Sequence, residues 1–185
     1  IVAVANTGNP DHLWKALAGK TTFAEIFNAY KMLNSEKETY AGNHIMMAGW
    51  KDLTVSSASS LAIPLKRSYA KIEFKLKNQT STVTINRATL NNVPLRVDFF
   101  AAYQDHTGEA YPAATDEYGS FPLDNITDLG PGDEKSFIWY TPANIKGSSG
   151  NSLPQLKNLD APDAATYVTL SGIDSQDGSL FVYKL

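Results

Sequence analysis

Residues 70–77 of the chain, with the sequence AKIEFKLK, decide the fold class because apolar and charged side chains alternate through them. Successive side chains of a β-strand point to opposite faces of the sheet. Ile72, Phe74 and Leu76 therefore share one face of a strand, and the charged residues between them share the other. A strand with one apolar and one charged face is typical of an antiparallel sheet that covers a core on one side.

The same period of two residues recurs along the chain after about residue 44. It is found in residues 83–85, 93–99, 137–140, 167–170 and 180–183, and a short apolar segment at 45–50 precedes them. Clusters rich in glycine, proline, serine and asparagine separate these segments. Many short alternating strands with spaced turns predict a mainly β protein, folded as an antiparallel β-sandwich.

The only helical pattern lies near residues 10–34, which predict a short helical insert. Pro10 suits the first position of a helix, where its missing N–H costs nothing. Thr22 and Glu25 have the spacing of a capping box, in which each side chain accepts a hydrogen bond from the other residue's backbone N–H. Apolar residues then recur at helical spacing, which predicts a helix with one face against a core. These residues are Phe23, Ile26, Phe27, Tyr30 and Leu33.

The chain has 185 residues, 43% of them hydrophobic, and it contains no cysteine. This length, without an evident linker, predicts a single domain over residues 1–185. No apolar run reaches the roughly 20 residues that a membrane-spanning helix needs. The lack of cysteine excludes thiol catalysis, iron–sulfur clusters and cysteine-ligated zinc.

The net charge of −3 hides an uneven distribution along the chain. Residues 1–97 carry 12 Lys/Arg and 6 Asp/Glu, a net charge of +6, whereas residues 98–185 carry 4 and 13, a net charge of −9. If the two signs lie at opposite ends of the folded chain, head-to-tail copies would attract each other and salt would weaken the contact. If the signs are intermixed on the surface, the asymmetry only reflects chain order.

No sequence motif points to catalysis, a cofactor or a metal ion. His12, His44 and His106 lack the spacing of a zinc-binding pair. Residues 174–178, DSQDG, contain spaced carboxylates, but they suit a hairpin turn better than a calcium loop. The basic residues within 66–77 are interpreted as charged side chains, chiefly lysines, on the solvent face of a strand, where they prevent edge-to-edge aggregation. Nucleic-acid binding is the less favoured interpretation, because it would also favour an overall basic chain. We therefore expect no enzymatic activity, no cofactor, no metal ion and no nucleic-acid partner.

Four aromatic residues fall between predicted strands, in a stretch rich in proline, glycine and acidic residues. They are Tyr103, Tyr111, Tyr118 and Phe121. Exposed coplanar rings at these positions would stack on sugars, which is the basis of an alternative function as a surface carbohydrate-binding module. Buried rings would instead anchor a long loop to the sandwich, and we favour this second interpretation.

Several segments, in order along the chain, resemble motifs of the Bacteroidales fimbrillin family, the fimbrial subunits and related surface lipoproteins of the FimA and Mfa kind, and residues 2–6 and 46–49 fit the usual beginning of its members. Residues 65–72, LKRSYAKI, are similar to the family's R-x-x-A-K-I strand, and residues 88–94, ATLNNVP, to its L-x-N-V-P element. Residues 140–147, YTPANIKG, are similar to its Y-x-P-E-N-x-x-G turn, with Ala143 where glutamate is usual. Residues 165–172, ATYVTLSG, resemble the strand that follows that turn.

The resemblance implies a transthyretin-like β-sandwich with a structural or adhesive role on the bacterial cell surface, in the outer membrane or in a fimbrium. It implies other fimbrial subunits as partners, in a homopolymer or a heteropolymer, and a host or bacterial surface receptor or glycan as a further ligand. Contact with the membrane would be made only through a lipid anchor absent from this chain. The chain would be the N-terminal part of a longer fimbrillin-like protein.

In the fimbrillin family, proteolytic processing frees a groove in one subunit, and a strand from a neighbouring subunit fills it. Both ends of this chain have the composition of apolar strands, which makes them the candidate segments for such an exchange. The first segment includes Ile1, Val2 and Val4, and the second includes Leu180, Phe181 and Val182. Assembly of this kind relies on backbone pairing and shape, so it requires no catalytic residue.

Overall fold

A computed structural model describes residues 1–7, 10–33, 40–41, 44–54, 60–100, 118–122, 126, 128–144 and 165–185. Strands dominate these residues, and the helices among them are two short ones within the predicted insert. No helix in the described ranges is long and apolar enough to cross a membrane. The described residues thus form the mainly β protein that the two-residue sequence period predicts.

The helices and strands have the following bounds in chain order. β1 is Val2–Ala5, α1 is Pro10–Leu17, α2 is Phe23–Phe27, β2 is Tyr30–Met32, β3 is Tyr40–Ala41, β4 is His44–Ile45, β5 is Met47–Trp50, β6 is Lys66–Arg67, β7 is Tyr69–Lys77, β8 is Val83–Pro94, β9 is Arg96–Asp98, β10 is Tyr118–Pro122, β11 is Glu134–Pro142, β12 is Tyr167–Asp174 and β13 is Leu180–Lys184.

Backbone contacts divide the chain into two compact units. The first consists of Ile1–Ala70, Leu95–Thr107 and Tyr140–Ala143, and the second of Lys71–Pro94, Gly108–Trp139 and Asn144–Leu185. The single domain expected over residues 1–185 stays a prediction.

The first unit contains a three-stranded antiparallel sheet in the order β1-β5-β6. In addition, β2 pairs with β9 and β3 pairs with β4, both antiparallel. The ring of Phe27 in α2 stacks on Phe100, with ring centroids 5.4 Å apart, and lies edge-on to Trp50. The most buried side chains of this unit include Leu33, Met46, Ala48, Val97, Phe99 and Phe100.

The predicted capping box at the start of α2 is confirmed. The hydroxyl of Thr22 accepts a hydrogen bond from the backbone N–H of Glu25 at 3.2 Å, and the Glu25 carboxylate accepts one from the Thr22 N–H at 2.9 Å. The N–H of Thr21 donates to the same carboxylate at 2.9 Å. Because these donors favour the ionised form, chiefly the N–H groups of Thr21 and Thr22, the pKa of Glu25 falls to about 2.

The helix that begins at this box is shorter than its apolar period predicts. α2 ends at Phe27, and the backbone N–H of Asn28 closes it by donating back into the last turn. Tyr30 lies in β2 instead, and Leu33 follows that strand, donating its N–H to the carbonyl oxygen of Leu95 at 2.7 Å. Pairing with the distant β9 satisfies these backbone groups and overrides the local helical pattern.

The second unit contains a four-stranded antiparallel sheet in the order β10-β8-β12-β13, together with most of a separate pair formed by β7 and β11. The alternation predicted along β7 is confirmed, since Ile72, Phe74 and Leu76 are half-buried and the charged residues between them are exposed. The buried apolar side chains of the unit include Ile85, Ala88, Leu90, Val93, Phe121, Phe137, Trp139, Val168 and Leu170. This architecture confirms the predicted antiparallel β-sandwich.

The buried side-chain amide of Asn78 stabilises the turn between β7 and β8. The side-chain nitrogen of Asn78 donates to the carbonyl oxygens of Val83 at 2.8 Å and Leu129 at 3.0 Å. Its side-chain oxygen accepts from the N–H of Thr80 at 3.1 Å and from the Thr80 hydroxyl at 2.6 Å. Since a primary amide offers two donors and two acceptor positions, all four are used.

Residues 174–178 form the hairpin turn that their sequence predicts, and the turn joins β12 to β13. Gly178 has a φ of 74°, a left-handed conformation that glycine adopts without strain. The Asp177 carboxylate accepts a hydrogen bond from the N–H of Ser179 at 2.8 Å. Hydrogen bonds from the hydroxyl and the N–H of Ser179 lower the pKa of Asp177, so its carboxylate stays ionised beside the turn.

Candidate assembly edges

The strand β13 lies at the edge of the four-stranded sheet. Within the described residues it pairs with β12 on one side and with no strand on the other. The pairing is antiparallel and runs from Ile173 opposite Leu180 to Thr169 opposite Lys184. An edge strand of this kind leaves a row of backbone groups available to a further strand.

The hydrogen-bond pattern identifies which backbone groups of β13 point away from the sheet. Val168 and Leu185 exchange both backbone hydrogen bonds, at 3.2 and 2.8 Å, and the N–H of Asp174 donates to the carbonyl oxygen of Ser179 at 2.9 Å. Hydrogen-bonded and non-hydrogen-bonded pairs alternate along an antiparallel ladder. The N–H and C=O groups of the remaining residues therefore point outward from the sheet. These residues are Leu180, Val182 and Lys184.

The side chains of the same edge are apolar and exposed. Leu180 is 81% exposed and Val182 is 73% exposed, and Ile173 lies beside them on the same face of the sheet. On the opposite face, Phe181 packs over Gly172, where a Cβ would collide with the Phe181 ring and with the backbone of β8. Tyr183, on that face too, remains half-exposed at the rim of the core.

Charged residues that discourage edge pairing are concentrated on β7 rather than β13. Lys71, Lys75 and Lys77 line the exposed face of β7, as lysines commonly do on strands that must not aggregate. Lys184 is the only charged residue of β13, and its ammonium lies 4.0 Å from the centre of the Tyr167 ring. Among the residues that the structure describes, no strand and no charged side chain therefore covers the central part of the β13 edge.

The other sequence-predicted segment, β1, is an edge strand of the first unit. It pairs with β5, where Val2 lies opposite Trp50 and Val4 opposite Ala48. Val2 and Val4 are half-buried, and Ile1 is exposed. The structure thus places both predicted exchange segments at sheet edges, each in a different unit.

Two of the four aromatic residues singled out for sugar stacking can be located. Phe121 is 2% exposed in β10, so its ring offers no surface to a sugar. Tyr118 is half-buried, and its hydroxyl donates to the side-chain oxygen of Asn144 at 3.5 Å. Tyr103 and Tyr111 lie outside the described residues. The described pair gives no exposed coplanar platform.

A polar cluster links segments that the sequence motifs contain but that sequence reasoning did not bring together. The side-chain nitrogen of Asn144 donates to the carbonyl oxygen of Asn92 at 3.2 Å and to the hydroxyl oxygen of Thr166 at 2.7 Å. The Thr166 hydroxyl also donates to the Asn92 carbonyl oxygen, at 2.9 Å. The φ of Asn92 is 52°, and the two consecutive asparagines at 91–92 are a sequence signal for such a left-handed residue.

The described residues hold no group of three or more His, Asp or Glu side chains that could bind a metal ion. The acidic residues of the hairpin at 174–178 are engaged with the turn itself, where the Asp174 carboxylate accepts from the N–H of Gln176 at 2.9 Å. His12 and His44 have described backbones, and His106 lies outside the described residues.

Comparison with known proteins identifies a fimbrial fold. No protein-family model matches the chain, and no curated protein matches its sequence. A solved structure does match: the tip fimbrial protein Mfa3 from Porphyromonas gingivalis, with a C-terminal truncation, has a TM-score of 0.55 and 15% sequence identity to the chain. The similarity covers 100% of this chain and 61% of that chain, so the chain spans about three fifths of the protein it matches. The chain is thus similar in fold to this fimbrial protein, which confirms the fimbrillin-like fold that its sequence motifs imply.

Proposed function

We propose that the protein is a fimbrial subunit, with a structural or adhesive role, that is joined to its neighbours by strand exchange. The observation that carries the proposal is the combination of a fimbrial tip-protein fold with apolar strands at two sheet edges. The partners are copies of this chain or other fimbrial subunits. The location is the cell surface, in a fimbrium or at the outer membrane, with membrane contact made by a lipid anchor.

The strand β1 is the segment best suited to leave its place. Among the described strands its partner is β5 alone, and its half-buried side chains are small or β-branched. If β1 departs, the backbone groups of β5 that face it lose their partners, while those paired with β6 keep theirs, and the buried Ala48 becomes accessible. A strand from a neighbouring subunit restores both the hydrogen bonds and the apolar cover, because backbone pairing depends little on side-chain identity.

A disulfide between β1 and β5 tests this exchange, because the natural chain contains no cysteine. Ile1 and Lys51 exchange both backbone hydrogen bonds, so Val4 and Ala48 form a non-hydrogen-bonded pair. Such pairs have Cα atoms about 4.5 Å apart, within the range that a disulfide spans. The double variant Val4→Cys/Ala48→Cys should therefore lock β1 in place when oxidised and release it when reduced.

The measurement is the binding of a fluorescent peptide with the sequence of residues 1–6 to this full-length double variant. We expect binding to the reduced protein and none to the oxidised protein, with the single variant Ala48→Cys binding equally under both conditions. A second peptide, with the sequence of residues 180–185, tests whether β13 can bind to β5 in the position that β1 leaves. Equal peptide binding before and after oxidation, or no binding by the reduced protein, would contradict exchange at β1.

The fimbrial location has its own test, which does not depend on strand exchange. Immunogold electron microscopy of cells that naturally produce the protein should place the label on surface filaments. Label confined to the cell interior would contradict a fimbrial role, whatever the outcome of the peptide experiment.

A further inference from the structure

We propose that the β13 edge pairs with the β13 edge of a second copy of this chain, antiparallel and across a two-fold axis at Val182. In this contact neither strand leaves its own sheet, so the two four-stranded sheets join into one continuous sheet. The contact is therefore separate from strand exchange, and it uses the second unit rather than β1.

Under this two-fold symmetry, the outward N–H and C=O groups of β13 in one copy face the outward C=O and N–H groups of β13 in the other. Leu180, Val182 and Lys184 carry these groups, and the middle residue of the three is Val182. An antiparallel copy turned about Val182 places Val182 opposite Val182, and Leu180 opposite Lys184 of the second copy. Each of the three pairs is of the hydrogen-bonded kind, which gives about six backbone hydrogen bonds without moving either strand.

The side chains favour the same register. Between the hydrogen-bonded pairs, Phe181 comes to lie opposite Tyr183 of the second copy, twice by symmetry. These are non-hydrogen-bonded pairs, whose side chains approach closely, and cross-strand aromatic pairs stabilise a sheet. On the other face, the exposed Leu180 and Val182 side chains meet Val182 and the aliphatic stem of Lys184. The contact thus covers the apolar side chains that the edge exposes.

The charges at the two ends of β13 favour an antiparallel orientation of the two strands. They also favour a second copy of this chain as the partner that covers the β13 edge. Lys184 lies at one end of the strand, and Asp177 lies in the turn at the other end. The antiparallel copy brings the Lys184 end of each strand beside the Asp177 turn of the other, so opposite charges approach twice. A parallel copy would align Lys184 with Lys184, and like charges directly opposite destabilise a sheet.

Charge-reversal variants of the full chain at Val182 test the symmetry, because this residue would face itself. Val182→Lys and Val182→Glu each place like charges opposite each other, whereas a mixture of the two places opposite charges there. Val182 is 73% exposed, so neither change removes a core contact. Ile138→Lys and Ile138→Glu, at an exposed position of β11, are the matched controls.

Analytical ultracentrifugation gives the dimer Kd of each protein. We expect a dimer of the natural chain, a Kd raised about tenfold or more in each Val182 variant, and recovery of the dimer in their equimolar mixture. The Ile138 variants should dimerise like the natural chain. A monomeric natural chain, unchanged dimerisation of the Val182 variants, or a mixture no tighter than its components would each overturn the proposal.

A single cysteine gives a second measurement of the same register, which does not rely on charge. Val182→Cys should form a disulfide-linked dimer under mild oxidation, since the two-fold axis brings the two sulfur atoms together. Ile138→Cys is the control for chance collision. Cross-linking of Val182→Cys no faster than Ile138→Cys would overturn the proposed axis while leaving the test of strand exchange at β1 unaffected.

Discussion

Replacement of Asn78 by alanine should destabilise the protein by about 3 kcal/mol. Asn78 is 2% exposed, and its amide makes four hydrogen bonds: it donates to the carbonyl oxygens of Val83 and Leu129, and it accepts from the backbone N–H and the hydroxyl of Thr80. Each buried hydrogen bond contributes about 1 kcal/mol net, and a buried group left without its partner costs about 1–3 kcal/mol. Thr80 is exposed, so water can replace the amide there, and the largest loss falls on the two carbonyl oxygens.

Urea denaturation followed by tryptophan fluorescence measures this loss as a fall in the free energy of unfolding. The matched control is Gln79→Ala, whose side chain is exposed next to Asn78 and should change stability by less than about 0.5 kcal/mol. A loss below about 1 kcal/mol for Asn78→Ala would contradict this expectation, because it would mean that the amide does not stabilise the turn between β7 and β8.

Three further perturbations test other parts of the structure. Gly172→Ala should destabilise the protein by about 2 kcal/mol in urea denaturation, because the added methyl group collides with Phe181 and with the backbone of β8. Arg96→Met should cost about 3 kcal/mol in the same assay, because it removes the bidentate partner of the buried Asp98, with N–O distances of 2.9 to 3.2 Å. Glu25 has a folded pKa of about 2 against an ordinary value of 4.5, so its capping stabilises the protein above pH 4.5 and is lost as the pH falls towards 2. An NMR titration of the Glu25 carboxyl carbon measures this pKa.

Each of these three predictions has an outcome that contradicts it. Gly172→Ala at full stability would mean that β8 and β12 are not in close contact there. Lys75→Met is the control for Arg96→Met, because it breaks an exposed ion pair with Glu73, at 3.9 Å, that should contribute little to the free energy of unfolding. An equal loss of stability in the two variants would contradict the prediction for Arg96. A Glu25 pKa near 4.5 would show that the capping box is not formed in solution.

The sequence is most informative where a local pattern and the tertiary structure agree. The alternation along β7 predicts both its conformation and its buried face. Thr22 and Glu25 predict the start of α2, and Gly178 predicts the hairpin turn between β12 and β13. Each of these signals spans fewer than about ten residues, and its hydrogen bonds or packing follow from spacing alone.

The sequence is least informative where a distant partner decides the outcome. The apolar period through Tyr30 predicts a helix, but pairing with β9, more than 60 residues later in the chain, makes that segment a strand. Asn92, Asn144 and Thr166 meet although 52 residues separate the first two. The sequence marks residues 180–182 as an apolar strand, but which side of β13 has no partner among the described strands depends on how the strands pair in the sheet.

In the proposed assembly, β1 leaves β5 and is replaced by a strand from another subunit. The most direct test is the affinity of the Val4→Cys/Ala48→Cys variant for the peptide of residues 1–6, measured by fluorescence anisotropy before and after reduction. We expect binding to appear on reduction and to disappear on reoxidation. Peptide affinity that is the same in both redox states, or absent from both, would contradict it.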